Sequence, residues 1–287
     1  MPKAGDTHSS TTGASLVEGE EPAHDKGDPK SLTRGPKPPL FDYLLRLGDN
    51  DLVLAQRLGE WVGKGPALEE DIASTNIGLD LLGQARLWLG YAAEIGNTTE
   101  DRLAYFRDSG EFRNLLIVEQ PNGHYGDTIA RQYFFDQWHA LVLAELATSR
   151  DARVVAIAAK ALTEVCYHLE RSSGWVVRLG DGTDLSHTRM QAAVDAMWPY
   201  TGEMFAVDDI ERTLIDARVA PDVQALHMPW IAAVRSVFSE AALAVPSDAW
   251  MHGAGNRGGK QGVHTEHLSH MLAEMQVLPR SHPDARW

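Results

Sequence analysis

The sequence predicts an all-α fold: a bundle of two long antiparallel helical hairpins, with additional helices towards the C-terminus. Three observations predict it. Apolar residues recur at spacings of three and four over long stretches, no segment alternates convincingly with period two, and short loops rich in helix breakers join the long stretches in two pairs. With 287 residues, 44% of them apolar, the chain has the material for one large core or two small ones.

Residues 1–39 contain Pro, Gly, Ser, Thr and charges, with only Leu16, Val17 and Leu32 as sizeable aliphatics. They cannot bury enough surface to offset ordering entropy, so they read as a disordered N-terminal extension ahead of a helical domain over residues 40–287. The run Gly35-Pro36-Lys37-Pro38-Pro39 ends the extension. Over 40–62, Leu40, Phe41, Leu44, Leu45, Leu47, Leu52, Leu54, Leu58 and Trp61 form an apolar stripe and predict a first helix. Gly63-Lys64-Gly65-Pro66 breaks it. Residues 67–95 then predict a second helix with Ile72, Leu79, Leu82 and Leu89 in its apolar pattern, roughly 40 Å long at ~1.5 Å per residue.

Residues 100–122 read as shorter helices leading into a turn at Glu119-Gln120-Pro121-Asn122-Gly123. The hairpin then repeats: helices over 127–148 and 151–179 flank the tight Ser149-Arg150-Asp151 connection, and Asp181-Gly182 closes the second. A further helix is expected over 184–205, shorter ones over 208–245 and a last one over 264–278. Two long hairpins joined by a crossover give the ferritin-like class of four-helix bundle.

Composition narrows the function. A formal charge of −14 argues against sequence-independent nucleic-acid binding, which needs surplus Lys and Arg. No apolar run is long enough to span a membrane, and Met1 to Gly13 lack the apolar core of a secretory signal. The single cysteine, Cys166, rules out an internal disulfide and a thiolate-rich metal site. A cytoplasmic location is the expectation.

Carboxylate metal sites in ferritin-like bundles take one Glu from each of two helices and a Glu-x-x-His from each of the other two. Residues equally distant from a hairpin turn lie at one level, which brings Asp80 level with Asp49 to Asp51, and Asp136 level with Glu164. Asp49, Asp80, Asp136 and Glu164 are therefore expected to form one layer. The histidines do not follow: three residues after Asp80 stands Gly83, and three after Glu164 stands Tyr167. His168 at i+4 from Glu164 and His139 at i+3 from Asp136 would serve only in a shifted register. Lys160, four residues before Glu164, supplies a permanent cation on the same face. Buried acids must be paired, so Lys160 with Asn76, Gln84, Tyr167 and His168 is expected to replace metal by a structural network.

Several long motifs carry a resemblance. They are Leu45-Arg46-Leu47-Gly48-Asp49-Asn50, Asn76 through Arg86 (NIGLDLLGQAR), Val118-Glu119-Gln120-Pro121-Asn122-Gly123, Asp127 through Tyr133 (DTIARQY), Gly262 through Leu268 (GVHTEHL) and Leu272-Ala273-Glu274-Met275-Gln276. In that order they resemble the non-catalytic, C-type subunit of bacterial phenylacetyl-CoA epoxidase over about residues 40–279. The resemblance implies a multicomponent monooxygenase of aerobic phenylacetate degradation. In it a ferritin-like sister subunit holds the di-iron centre, a separate flavin and iron–sulfur reductase delivers electrons from NADPH, and this chain scaffolds the catalytic subunit without a cofactor of its own. It is compatible with homodimers inside a larger hetero-oligomer. The alternative reading is a catalytic, carboxylate-bridged di-metal oxidoreductase with an atypical ligand set.

Other features are given plainer roles. The Gly-rich, basic stretch Asn256-Arg257-Gly258-Gly259-Lys260-Gln261-Gly262 reads as a flexible loop, with Arg257 and Lys260 as an alternative anion or partner contact. His264, Glu266 and His267 are expected to serve a helix N-terminus rather than a metal. Trp61, Trp88, Trp138 and Trp175 are expected in core or subunit packing, and Cys166 as a buried small apolar residue.

Overall fold

The computed structural model describes residues 37–247 and 258–285, and every regular element among them is helical. The first hairpin consists of α1 (Pro39–Gly59) and α2 (Leu68–Gly96). Pro39 sits at the first helical position, where its missing N–H is no loss. The helix thus starts at the last residue of the sequence-assigned extension, most of which lies outside the described residues. Two glycines set the close approach of the pair. A Cβ at Gly48 would lie 2.7 Å from Leu89 Cγ, and one at Gly96 would lie 2.6 Å from the Phe41 ring. At the far end of α2, Asn97 takes the left-handed conformation with φ 53°, ending the helix.

The crossover contains α3 (Glu100–Tyr105), a 3₁₀ turn at Ser109–Glu111 and a turn through Gly123, whose φ of 55° suits glycine. The second hairpin is α4 (Tyr125–Leu146) and α5 (Ala152–Gly180). His124 and Asp127 form a reciprocal cap on α4, and the Asp151 carboxylate accepts from the N–H groups of Arg153 and Val154 to cap α5. The four long helices lie where the periodicity and the breakers put them, within about three residues at each end.

After the second hairpin come α6 (Asp184–Met197), a 3₁₀ segment (Trp198–Phe205), α7 (Asp209–Asp216), α8 (His227–Glu240) and α9 (Glu266–Ser281). The helix expected over 184–205 stops at Met197 because Pro199 cannot continue an α-helical ladder, and the chain tightens into 3₁₀ geometry. These later elements cover one side of the bundle. Helix α7 packs on α1, α6 and α8 pack on α4 and α5, and α9 returns to α3. Their core is aromatic, with Phe134 of α4 in contact with Trp198, Trp230 and Phe238 at ring separations of 5.6, 5.8 and 6.0 Å.

As a result α1 and α4 are interior helices, whereas α2 and α5 lie side by side with one surface open. The apolar pattern assigned to α2 needs correcting. Leu82 and Leu89 point inward, but Ile72 and Leu79 are 52% and 61% exposed, because Ile77, Leu81, Ala85 and Trp88 already supply the inward stripe. Among the tryptophans, Trp88 and Trp138 are buried, and Trp61 and Trp175 are half-buried, flanking Tyr125 edge-on. Cys166, expected to be buried, is exposed, since α5 turns Val165 and His168 inward and leaves it on the outer side.

Candidate functional site

The acidic residues of the four long helices converge only in part. Asp80 on α2 and His168 on α5 meet across the hairpins, with Asp80 Oδ2 3.1 Å from His168 Nε2. One turn further along, Gln84 donates to Glu164 Oε2 at 2.9 Å, and Lys160 donates to Glu164 Oε1 at 2.6 Å. Asp136 on α4 is fully buried and accepts from Gln132 Nε2 at 2.7 Å and from Ser172 Oγ at 2.8 Å. Burial raises the Asp136 carboxyl to about 6, against the opposing charge of His168 and the two hydrogen bonds.

Asp49 does not join them. Its carboxylate forms a fully buried ion pair with the Arg107 guanidinium and accepts from the Arg113 N–H at 2.8 Å, so it anchors the crossover. Asp51 faces the bundle centre in its place, because two residues along a helix turn a side chain by about 200°. Asp51 is fully buried and neither of its oxygens has a hydrogen-bond partner in the protein. Burial, and then the negative charge of Glu164, hold its carboxyl well above the usual carboxylate range. The nearest imidazole is that of His139, whose Nε2 lies 3.8 Å from Asp51 Oδ1. Burial, with His168 second, depresses His139 to about 3, so that this ring is neutral at physiological pH.

Of the expected network, Lys160, Gln84, Glu164, Asp80 and His168 are thus linked, and Asp136 is satisfied separately. Tyr167 and Asn76 are not part of it: both are exposed, Tyr167 by 69%, since the helix positions pointing inward are taken by His168 on α5 and by Ile77 on α2. Sequence reasoning placed Asp51 at the right level but chose Asp49 over it, and it missed Ser172. The signal for Ser172 was its spacing, one turn beyond His168 on the buried side of α5.

The donor set does not fit a di-metal centre. Asp49 is paired with the Arg107 cation and Glu164 with the Lys160 cation, while Asp136 accepts from the neutral Gln132 and Ser172 and Asp51 has no hydrogen-bond partner, so two of the carboxylates are charge-matched by protein groups. Among the described residues no group of three or more His, Cys, Asp or Glu side chains is placed to hold a metal ion.

The basic loop also departs from expectation. Lys260 is buried and donates to Glu211 Oε1 and to the Ala206 carbonyl, each at 2.8 Å, which removes it from any anion site. Arg257 lies outside the described residues. Around that lysine Arg46 pairs with Asp208 and Glu211. Burial pushes Asp208 up, but the hydrogen bonds and charge of Arg46 outweigh it and leave the carboxyl at about 2. His264 serves Glu119 instead of a metal: its Nδ1 is 2.8 Å from Glu119 Oε2, and the Thr265 N–H at the start of α9 donates to Glu119 Oε1 at 2.7 Å.

The family model described as phenylacetic acid catabolic protein matches residues 27–287. The chain is also 53% identical over 249 residues to the C-type subunit of 1,2-phenylacetyl-CoA epoxidase from Escherichia coli (strain K12), an alignment covering 86% of this chain and 99% of that protein. The chain belongs to the phenylacetic acid catabolic protein family. Both hairpins, the crossover and helix α9 lie within the matched region. No described helix of this family member is long and apolar enough to cross a membrane.

Proposed function

We propose that this chain is the non-catalytic, structural subunit of a phenylacetyl-CoA epoxidase, a ferritin-like bundle that scaffolds an oxygen-activating, di-iron sister subunit in the cytoplasm. The chain contributes no cofactor. Its similarity to the C-type epoxidase subunit of Escherichia coli supports the assignment to that complex. The observation that carries the non-catalytic part is that Asp49, Asp80, Asp136 and Glu164 are each engaged by protein side chains. A lysine, an arginine, two amides, a hydroxyl and a histidine engage the acids whose charge a metal pair would balance in a working centre. Such a network stabilises one geometry of the helices. The two hairpins then act as a rigid body on which a partner is held.

Metal analysis of the purified chain tests this, together with turnover assays with and without the sister subunit. A chain without stoichiometric iron, inactive alone but required in complex for full activity, is the expected result. About two irons per chain with peroxide-dependent turnover in isolation would show instead a catalytic di-metal oxidoreductase.

A further inference from the structure

Five of the eleven large hydrophobic side chains exposed among the described residues fall on one surface, that of α2 and α5. Leu68, Ile72, Leu79 and Leu87 stand on α2 at 73%, 52%, 61% and 37% exposure, and Tyr167 stands on α5 at 69%. The Asp80–His168 and Gln84–Glu164 contacts fix the register of the two helices and set Leu79 and Tyr167 at neighbouring levels. Between Leu79 and Leu87 the ridge opens at Gly83, where an added Cβ would meet nothing within 4 Å. The surface is therefore an apolar ridge with a notch, the relief into which the side chains of another helix fit.

We infer that the α2/α5 face is the docking surface for the oxygen-activating helical subunit of the same complex. This rests on the structural-subunit reading above and adds to it the face and the kind of partner. The area is sufficient. Each of the two helices has 29 residues, about 43 Å of length, and the pair presents a strip about 20 Å wide, or ~860 Å². A stable complex buries about 800 Å² on each partner. Charge also fits an apolar contact: four cations on these helices are matched within the chain, Lys160 by Glu164, Arg171 by Glu70, Arg153 by Glu94 and Arg86 by Glu100, and Arg178 lies over the Trp175 ring. A surface on which most cations are already paired is desolvated at lower cost than the rest of a chain carrying −14. The remaining long helices are not available, since α1 and α4 are covered by the crossover and the later helices.

The test is co-expression of the full chain with the di-iron subunit, reading the complex by light scattering and its affinity by titration. Leu79→Glu and Ile72→Glu should weaken association tenfold or more, while Met228→Glu on α8 and Leu185→Glu on α6, equally exposed in the structure, should change it less than twofold. Unchanged melting of each variant shows that the fold is intact. Association insensitive to Leu79→Glu and Ile72→Glu would overturn the assignment of the face. A homodimer of the isolated chain that Leu79→Glu dissociates, with the heteromeric association left intact, would overturn it in favour of a second copy. Failure of the unaltered chain to bind the di-iron subunit would overturn the structural-subunit reading as well.

Discussion

Replacing Asp49 by Ala tests whether this residue is an anchor or a displaced metal ligand. Asp49 and Arg107 are both completely buried, and the carboxylate also accepts the Arg113 N–H. The arginine's remaining hydrogen bonds go to the Leu103 and Glu111 carbonyls, so no second acid is at hand to balance it. Removing one partner of a buried pair strands the other charge and costs about 3–5 kcal/mol. For a chain of this size each kcal/mol lowers the melting temperature by about 2–4 °C, so Asp49→Ala should melt some 6–20 °C lower. Differential scanning calorimetry and urea unfolding provide the measurement. The double variant Asp49→Leu with Arg107→Met should recover most of the loss, because it removes both charges and keeps the volume. A loss below about 0.5 kcal/mol for Asp49→Ala, or no recovery in the double variant, would refute the anchoring role.

Asp51→Asn should behave in the opposite sense. The folded-state pKa of Asp51 is raised by burial, so the native protein is progressively destabilised as pH rises above the unfolded value near 3.8 and until it passes the folded value. The variant should gain stability relative to the unaltered chain from pH 4 upward, and denaturant titrations at pH 4 and pH 8 should show the difference growing. Ser172→Ala takes one donor from Asp136 and should cost about 1–2 kcal/mol in urea unfolding at pH 8. The loss should shrink below pH 6, where that carboxyl protonates. Lys160→Ala should change stability by less than about 0.5 kcal/mol, since the Lys160–Glu164 pair is an i,i+4 bridge with a 58% exposed lysine.

The hairpins were legible because their signals are local. Gly63-Lys64-Gly65-Pro66 and Ser149-Arg150-Asp151 break the chain, and the helices between are long enough for their period to show. The site was legible to within one helical rotation and no further. Asp49 and Asp51 are both acidic and two residues apart, and nothing local tells which faces the centre. That is decided by Arg107, which lies 58 residues away. Helix α2 misled for a related reason, since it is apolar on its outer side as well as its inner one and Leu79 fits the stripe as well as Leu81 does. Lys260 read as a loop cation because its acid, Glu211, stands 49 residues earlier.

The crossover is seated from α1, through Asp49, Asn50 and Arg57, and also from the far end of the chain. Glu119 receives His264 and Thr265, the Gln276 amide donates to the Ala104 and Arg107 carbonyls, and Arg57 of α1 reaches the His267 carbonyl across a separation of 210 residues. Contacts so distant in sequence are slow to form. During synthesis the first hairpin can assemble early, but Glu119 has only the nearby Asn114 amide as a side-chain partner until His264 and Thr265 have left the ribosome. A chain stopped short of α9 would lack the His264 imidazole and the Thr265 N–H at Glu119 and keep only the Asn114 amide there. Completion of translation is thereby built into the native state as a condition for settling the middle of the molecule.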